Sequence, residues 1–462
     1  MRSILVAALL MTACARGPGA SRSSAIEPTP ASVVASESSP ELAACDPVAF
    51  PESAAGRRLE ELIVAVNASD RSAAERFVAT AMSASSRARH AGFILGNAGD
   101  ELTLDLCRVA YDAGGELVAF LGGADGRGGF TYGALVLVVD ERSAVVSLGV
   151  TPATKEDLEA AIESLDDEGA RRIVDDVAGG LAGYVFADKA AAMATKIRAA
   201  RDAGEYAQIK SGHALAHRLT DDLFAVTGDK HLGVTYHAVA AAPTRPPTPE
   251  ELERFAERAA RDNFGMPIAE LREGSVGYLK VDGFLPPEVA GEAMSATMSK
   301  LADAEVLVID LRENGGGSPH GVARMASYLF GEEPVHLNDI YSRREDRTES
   351  FHTSPDVQGR RFGADKPIYV LTSAQTFSAG EEFAYDLQAQ QRATIVGEVT
   401  GGGAHPIDLI RVSDHWTIAL PIARSINPIT KTNWEGTGVQ PDVAVPAEQA
   451  LEKALELAKQ GR

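Results

Sequence analysis

Ser378 is the residue whose surroundings most invite chemistry. It lies in PIYVLTSAQTFSAGEE, residues 367–382, which reads as a buried strand (Ile368-Tyr369-Val370-Leu371), a short polar turn and a helix opening at Ser378. Backbone N–H groups at a helix N-terminus point outward and favour negative charge. A serine held there suits attack on a carbonyl whose oxygen becomes an oxyanion. The same residues also read as an N-cap, with Glu381 as the capping-box partner three positions on. This segment alone leaves both readings open.

Three other segments carry residues of the same kind. Val306-Leu307-Val308-Ile309-Asp310 is a buried strand that runs into Gly315-Gly316-Gly317. Successive glycines let backbone N–H groups converge without side-chain obstruction, so this turn reads as half of an oxyanion hole or as a plain strand–helix turn. Gly228-Asp229-Lys230-His231-Leu232 follows a helical pattern, and Trp434-Glu435-Gly436-Thr437-Gly438 lies near the C-terminus. A serine, a histidine and a carboxylate are the minimal parts of a nucleophile–base–orienter set, in any chain order. His405, after a glycine turn, is a second candidate base, and His320, near the glycine run, a candidate substrate contact. His213 and His217 have i, i+4 metal spacing, but no glutamate follows His213 and no third ligand is near, so they read as a solvated helix face and no metal is expected. The glycine-rich stretch 122–129 lies between strand patterns, which marks a hairpin and not a phosphate cradle.

These residues need a scaffold of several units, and 462 residues suffice for two to four. Residues 45–155 read as a small α+β module, a helical region and then four strand patterns, loosely similar to cystatin-like or nuclear-transport-factor-like folds. Residues 156–240 read as a helical subdomain, and 241–273 as a proline-rich linker with a charged helix. Residues 274–447 alternate strands (276–281, 306–310, 368–371, 394–396, 416–420) with helices, which implies a mostly parallel, helix-covered sheet with its site at the strand C-termini. A terminal helix fills 448–462. The net charge of -21 argues against nucleic acid and anionic lipid as electrostatic partners.

The first 14 residues read as an export signal: Arg2, an apolar run too short to span a bilayer, then Thr12-Ala13-Cys14. Small residues before a cysteine resemble a bacterial lipoprotein signal, in which Cys14 carries the lipid and is the only membrane anchor; an ordinary secretory signal is the alternative. Residues 15–44 read as a flexible tether. Cys45 and Cys107 then remain as a disulfide pair or as two buried thiols.

Taken together, residues 170–446 resemble the tail-specific (C-terminal-processing) serine peptidases, in the branch related to interphotoreceptor retinoid-binding protein and the tricorn core protease. The resemblance rests on the run from Asp310 to Gly317, Thr376-Phe377-Ser378-Ala379-Gly380-Glu381-Glu382, Gly397-Glu398-Val399-Thr400-Gly401-Gly402-Gly403, and the run from Glu435 to Asp442. It implies a crotonase-like peptidase core that needs no cofactor and acts on exported polypeptides or peptides. Ser378 would be the nucleophile, His231 the base and Glu435 its orienting carboxylate. The N–H groups of Gly316 and Ala379 would hold the oxyanion, with Gly317 in reserve. Many members use a lysine base where this chain has Gly403, so a lysine there is excluded. Lys230 replaces the serine that tricorn-like enzymes carry beside the histidine, and no PDZ-like insert is evident. The relationship to a retinoid-binding protein keeps a second reading, a binding protein on the same fold. A third makes residues 45–155 a ligand or partner module.

Overall fold

The computed structural model describes residues 45–460 apart from 69–71, 84–85, 87–93, 95–102, 114, 125–129, 154–156, 159–164, 238–239, 241–247 and 274. Cys14, the proposed signal and the tether therefore lie outside the described residues, as do the centre of the 122–129 loop and most of the proline-rich linker.

The N-terminal module packs helices α1 (Ala54–Asn67) and α2 (Ser72–Ala81) on one face of an antiparallel sheet, β1 (Thr103–Ala113), β2 (Glu116–Ala124), β3 (Phe130–Val139) and β4 (Val145–Ala153), in that order. Leu59, Leu62, Ile63 and Val66 recur at helical spacing on α1 and are buried against Leu117, Leu135 and Leu137 of the sheet. Ala124 pairs with Phe130, so β2 and β3 are joined as a hairpin. Cys45 and Cys107 form a disulfide, with Cα atoms 5.5 Å apart.

Three helices follow: α3 (Asp167–Gly180), α4 (Ala187–Asp202) and α5 (Gly212–Thr227). Gly228, at φ 69, ends α5 as a left-handed cap. The chain then passes through His231 into β5 (Gly233–Tyr236). Helix α6 (Pro249–Arg261) leads into the core.

The core begins earlier than the sequence pattern implies. Strand β6 (Ile268–Arg272) falls in the segment read as linker, yet it forms the antiparallel edge of the main sheet against β7 (Val276–Lys280). After α7 (Pro287–Leu301) comes β8 (Val306–Asp310), buried along its whole length, as expected of a central parallel strand covered on both faces. Helix α8 (Pro319–Ser327) precedes a hairpin, β9 (His336–Ser342) and β10 (Arg347–His352), absent from the sequence reading. Next come β11 (Ile368–Thr372), α9 (Ala379–Ala389) and β12 (Thr394–Gly397). The chain continues through β13 (Ile407–Ser413), β14 (Trp416–Pro421), β15 (Ala423–Ile426), β16 (Val443–Ala444) and α10 (Ala450–Gln460).

The main sheet has the order β16-β12-β11-β8-β7-β6 and is parallel except at β6. Successive residues of β8 serve opposite layers. Leu307 and Ile309 join the core under α7, α8 and α9, and Val308 joins the core under α10. One expectation fails here. The strand at 416–420 does not enter the main sheet: β14 pairs antiparallel with β13 and β5, and Trp416, Ile418 and Leu420 complete the core of the helical subdomain. That subdomain thus closes on residues from the peptidase-like part of the chain. His213 and His217 are also not solvated. His213 is buried edge-on to Phe120 and Tyr236, and His217 Nε2 lies 2.6 Å from Ser147 Oγ, so this face of α5 seats the N-terminal sheet.

Candidate active site

Ser378 stands where β11 turns into α9, at the C-terminal edge of the sheet. Its backbone has φ 54 and ψ -121, a region that residues with a Cβ rarely occupy. The turn is held by buried hydrogen bonds. Thr376 Oγ1 donates to the Leu311 carbonyl at 2.8 Å, Phe377 N–H to the Asn314 carbonyl at 2.9 Å, and Ser378 N–H to Glu381 Oε2 at 2.9 Å. The Ser378–Glu381 contact expected of a cap is therefore present, but the serine's backbone is not that of an ordinary extended N-cap.

Gly316, at φ 121, lies directly against this serine. A Cβ there would sit 2.8 Å from Ser378 Cβ, 3.3 Å from its Oγ and 3.4 Å from Ala379 N. The glycine run thus faces the serine as the sequence pattern implied, but its donor differs. Gly316 N–H is bound to Asn314 Oδ1 at 2.9 Å, because the fully buried Asn314 side chain folds back under the turn. Among the described residues no acceptor takes the N–H of Gly317 or of Ala379. Ala379 N–H, next to Ser378, and Gly317 N–H, one residue on from the glycine that packs on the serine, are thus the donors left open, and Gly316 N–H is not.

The glycine turn after β12 closes the opposite side. Glu381, fully buried, accepts from Thr400 Oγ1 (2.5 Å), Gly402 N–H (2.6 Å) and Gly403 N–H (2.9 Å) as well as from Ser378. Burial raises its carboxyl to about 7 against the pull of these four donors. Trp434 Nε1 donates to the Gly403 carbonyl at 2.7 Å, and Ala404 N–H to Glu435 Oε2 at 2.6 Å, which locks the C-terminal motif onto this turn.

His231 packs on Phe377, the residue before the serine, with ring centroids 4.6 Å apart. A Cβ on Gly403 would lie 2.7 Å from His231 Cε1 and 2.4 Å from Phe377 Cζ. A side chain at position 403 would therefore have to displace the rings of His231 and Phe377. Burial pushes the imidazole down to about 4, against the pull of the Asp229 charge, so it is neutral at pH 7. Its Nδ1 is buried without a hydrogen-bond partner, and so is Glu435 Oε1. Glu435 approaches a different imidazole from the one expected: His405 Nδ1 is 3.5 Å from Glu435 Oε2 and 2.7 Å from Asp229 Oδ2. Burial, and next the Asp229 charge, raise the Glu435 carboxyl.

Asp229 was not singled out by sequence, since it has no motif of its own beyond lying two residues before His231. It is 1% exposed, and its Oδ2 also accepts from Tyr184 Oη at 2.9 Å. Burial pulls its pKa up, but the hydrogen bond and charge of His405 hold it below the usual carboxylate range. Asp229, His405 and Glu435 have ligand-type atoms within 4.8 Å of one another. The 2.7 Å separation between Asp229 and His405 is a hydrogen bond and leaves no room for an ion between those atoms. Lys230 turns outward and donates to the Gly401 carbonyl at 2.6 Å, which ties the histidine loop to the glycine turn. His320 is exposed, 3.7 Å from Glu349 and beside Phe351.

Residues 275–445 match the family described as peptidase family S41, and residues 170–261 match the N-terminal domain of that family in eukaryotic IRBP. A carboxyl-terminal-processing protease of Synechocystis is 30% identical over 178 residues, 38% of this chain and 39% of the relative. The carboxy-terminal processing protease CtpB of Bacillus subtilis is 25% identical over 174 residues, 37% of this chain and 34% of the relative. The chain thus spans about two fifths or less of the length of these relatives. The crystal structure of the tricorn protease aligns with 78% of this chain and 45% of its own, at 13% identity and TM-score 0.38.

Proposed function

Because residues 275–445 belong to peptidase family S41, we propose that this chain is a serine peptidase that cleaves polypeptides through Ser378, His231 and Glu435. The observation that carries this reading is the serine elbow. Ser378 sits in strained backbone at a helix N-terminus, with Gly316 packed on its Cβ and Oγ and the N–H of the next residue, Ala379, left without an acceptor.

In this mechanism Ser378 Oγ attacks the scissile carbonyl and His231 takes its proton. The tetrahedral oxygen takes hydrogen bonds from Ala379 and Gly317 N–H. Such donors are each worth about 10²–10³ in rate. His231 returns the proton to the leaving amine, and water then releases the acyl group by the same steps. His231 Nδ1 and Glu435 Oε1 are both buried and unpartnered, a donor and an acceptor that suit each other. Closing that pair upon substrate binding would fix the tautomer and steady the imidazolium.

The test is labelling by a fluorophosphonate probe together with hydrolysis of an unfolded polypeptide. Both are expected in the wild type, and both are lost in Ser378→Ala. A folded wild type that neither labels nor hydrolyses overturns the reading. It would favour a binding protein on this fold, the reading that the open His231–Glu435 pair supports.

The chain is further proposed to be an exported lipoprotein anchored at Cys14. The disulfide between Cys45 and Cys107 supports an oxidising compartment. Among the described residues no helix is long and apolar enough to cross a membrane. Incorporation of labelled palmitate that survives Cys14→Ser would exclude the anchor.

A further inference from the structure

The imidazole assigned as base and the serine it serves come from different parts of the chain. His231 leaves the helical subdomain at the end of α5, whereas Ser378, the glycine turn and Glu435 belong to the core. Something must fix one part against the other to a fraction of an ångström, since misplacement by about 1 Å can cost 10²-fold in rate. One buried side chain spans the gap.

Asp229 Oδ1 accepts the backbone N–H of His231 at 3.0 Å, and Thr227 Oγ1 accepts the N–H of Asp229 at 3.1 Å, so the loop that presents His231 is wound around this carboxylate. Its Oδ2 reaches across to His405 Nδ1 at 2.7 Å and to Tyr184 Oη at 2.9 Å. His405 is 4% exposed, stands two residues after Gly403, and carries Glu435 on the same nitrogen at 3.5 Å. Glu435 is held again by the Ala404 N–H. The chain of contacts runs His231 backbone, Asp229, His405, Glu435, and Glu435 Oε1 and His231 Nδ1 at its two ends are buried without a partner. A buried carboxylate that accepts from three elements costs desolvation free energy, which neutral packing would avoid.

We infer that Asp229 and His405 are positioning residues of this site: Asp229 sets the His231 loop against the core through His405, and His405 holds Glu435 in reach of His231. Neither touches the reacting atoms. The inference rests on the serine-peptidase reading above and on His231 as its base.

The two residues act on the base with opposite sign, which makes the role separable from plain structural support. The groups facing His231 are Asp229 on its own loop and His405 across the interface. The Asp229 charge favours the protonated imidazole and the His405 charge disfavours it. Asp229→Asn keeps the shape and removes the negative charge. His405→Asn keeps an N–H near the Nδ1 position and cannot take up a positive charge.

The experiment measures the second-order rate of fluorophosphonate labelling of the full chain from pH 2.5 to 9, in exposures short against acid unfolding, for wild type and both variants, with melting curves as a folding check. In labelling, the Ser378 Oγ–P bond forms, fluoride leaves and the serine proton passes to the base. Asp229→Asn is expected to label about 10²-fold more slowly at pH 7, with its acid limb moved to lower pH by roughly one unit. His405→Asn is expected to label more slowly with its acid limb moved upward. If Asp229→Asn does not fold, the upward shift in His405→Asn alone decides. Rates that fall with both limbs unmoved would overturn the inference and leave only a structural role. Labelling abolished by His405→Asn and untouched by His231→Asn would overturn the assignment of the base itself, and the inference with it. That outcome is distinguishable because it needs no shift of a limb.

Discussion

At the residue scale the site turns on one strained position. Ser378 holds φ 54 and ψ -121, and backbone in such a region costs a residue with a Cβ about 1–3 kcal/mol. Glycine carries no such penalty, although it loses more freedom on folding. Ser378→Gly is therefore expected to unfold at a higher temperature than Ser378→Ala, by about 1 kcal/mol of stability, with neither able to take the fluorophosphonate probe. Equal melting of the two variants would mean that the elbow stores no strain. The strand, turn and helix around Ser378 were legible in the sequence, but the strain was not, because the tight turn is made without a glycine at its centre. Asn314 and Asp229 were illegible for a related reason. Each works through buried side-chain bonds to residues distant in sequence, and such bonds leave no periodic trace. Gly316 was misassigned as a donor because the N–H of a glycine in a turn looks free until the asparagine two residues before it is seen to fold back.

At the element scale, α9 follows directly on the proposed nucleophile Ser378 and has two buried acids behind it. Glu382 and Asp386 are one helical turn apart and almost fully buried. Asn338 of β9 donates to Glu382, Asn427 donates to Asp386, and Asp386 Oδ2 has no partner. Burial raises both carboxyls, and the Glu382 charge adds to the shift of Asp386. An acid whose folded pKa is raised keeps its proton in the folded state after the unfolded chain has lost it. Its contribution is fully present below the unfolded value, near 4, and is lost as pH rises through the folded value. This pair, together with Glu381, is thus expected to make the melting temperature fall between pH 5 and 8. Asp386→Asn, which keeps the acceptor for Asn427 and cannot ionise, should flatten that decline, and slopes that match the wild type would sink the account. The elements themselves were mostly readable: β7, β8, β11 and β12 are apolar runs between helical patterns, and each fell within a residue or two of its predicted span. The β9–β10 hairpin was missed because its strands are polar and mostly half-buried or exposed, without clean alternation. Strand β14 was recognised but assigned to the wrong sheet, since an apolar strand does not declare its partner.

At the scale of the whole molecule, the N-terminal module is joined by a narrow contact to a helical subdomain that shares its own core with β14. The N-terminal module has a core drawn from its own helices and sheet, and the part that carries Ser378 has another under α7, α8 and α9. They communicate through α5, whose Ala214 meets Val118 and Val136, whose His213 meets Phe120, and whose His217 and Asp221 meet Ser147. The far end of α5 runs into the Gly228–His231 loop. The question is whether the module supports the site or merely rides on it, and the disulfide offers a way to ask. Cys45 and Cys107 are separated by 62 residues, nearly all of them within the module. Closing a loop of that length stabilises by about 4 kcal/mol in the chain-entropy account. Replacing both cysteines by serine should then lower the melting of the module and leave that of the core in place, so that one calorimetric transition becomes two or the earlier of two moves down. The small apolar contact on α5 argues that the core, with its own buried layers, survives this loss. Fluorophosphonate labelling of Ser378 in the double variant should therefore persist above the temperature at which the module melts. Labelling that disappears together with the module would mean that the sheet holds α5, and through it His231, in the position the chemistry requires.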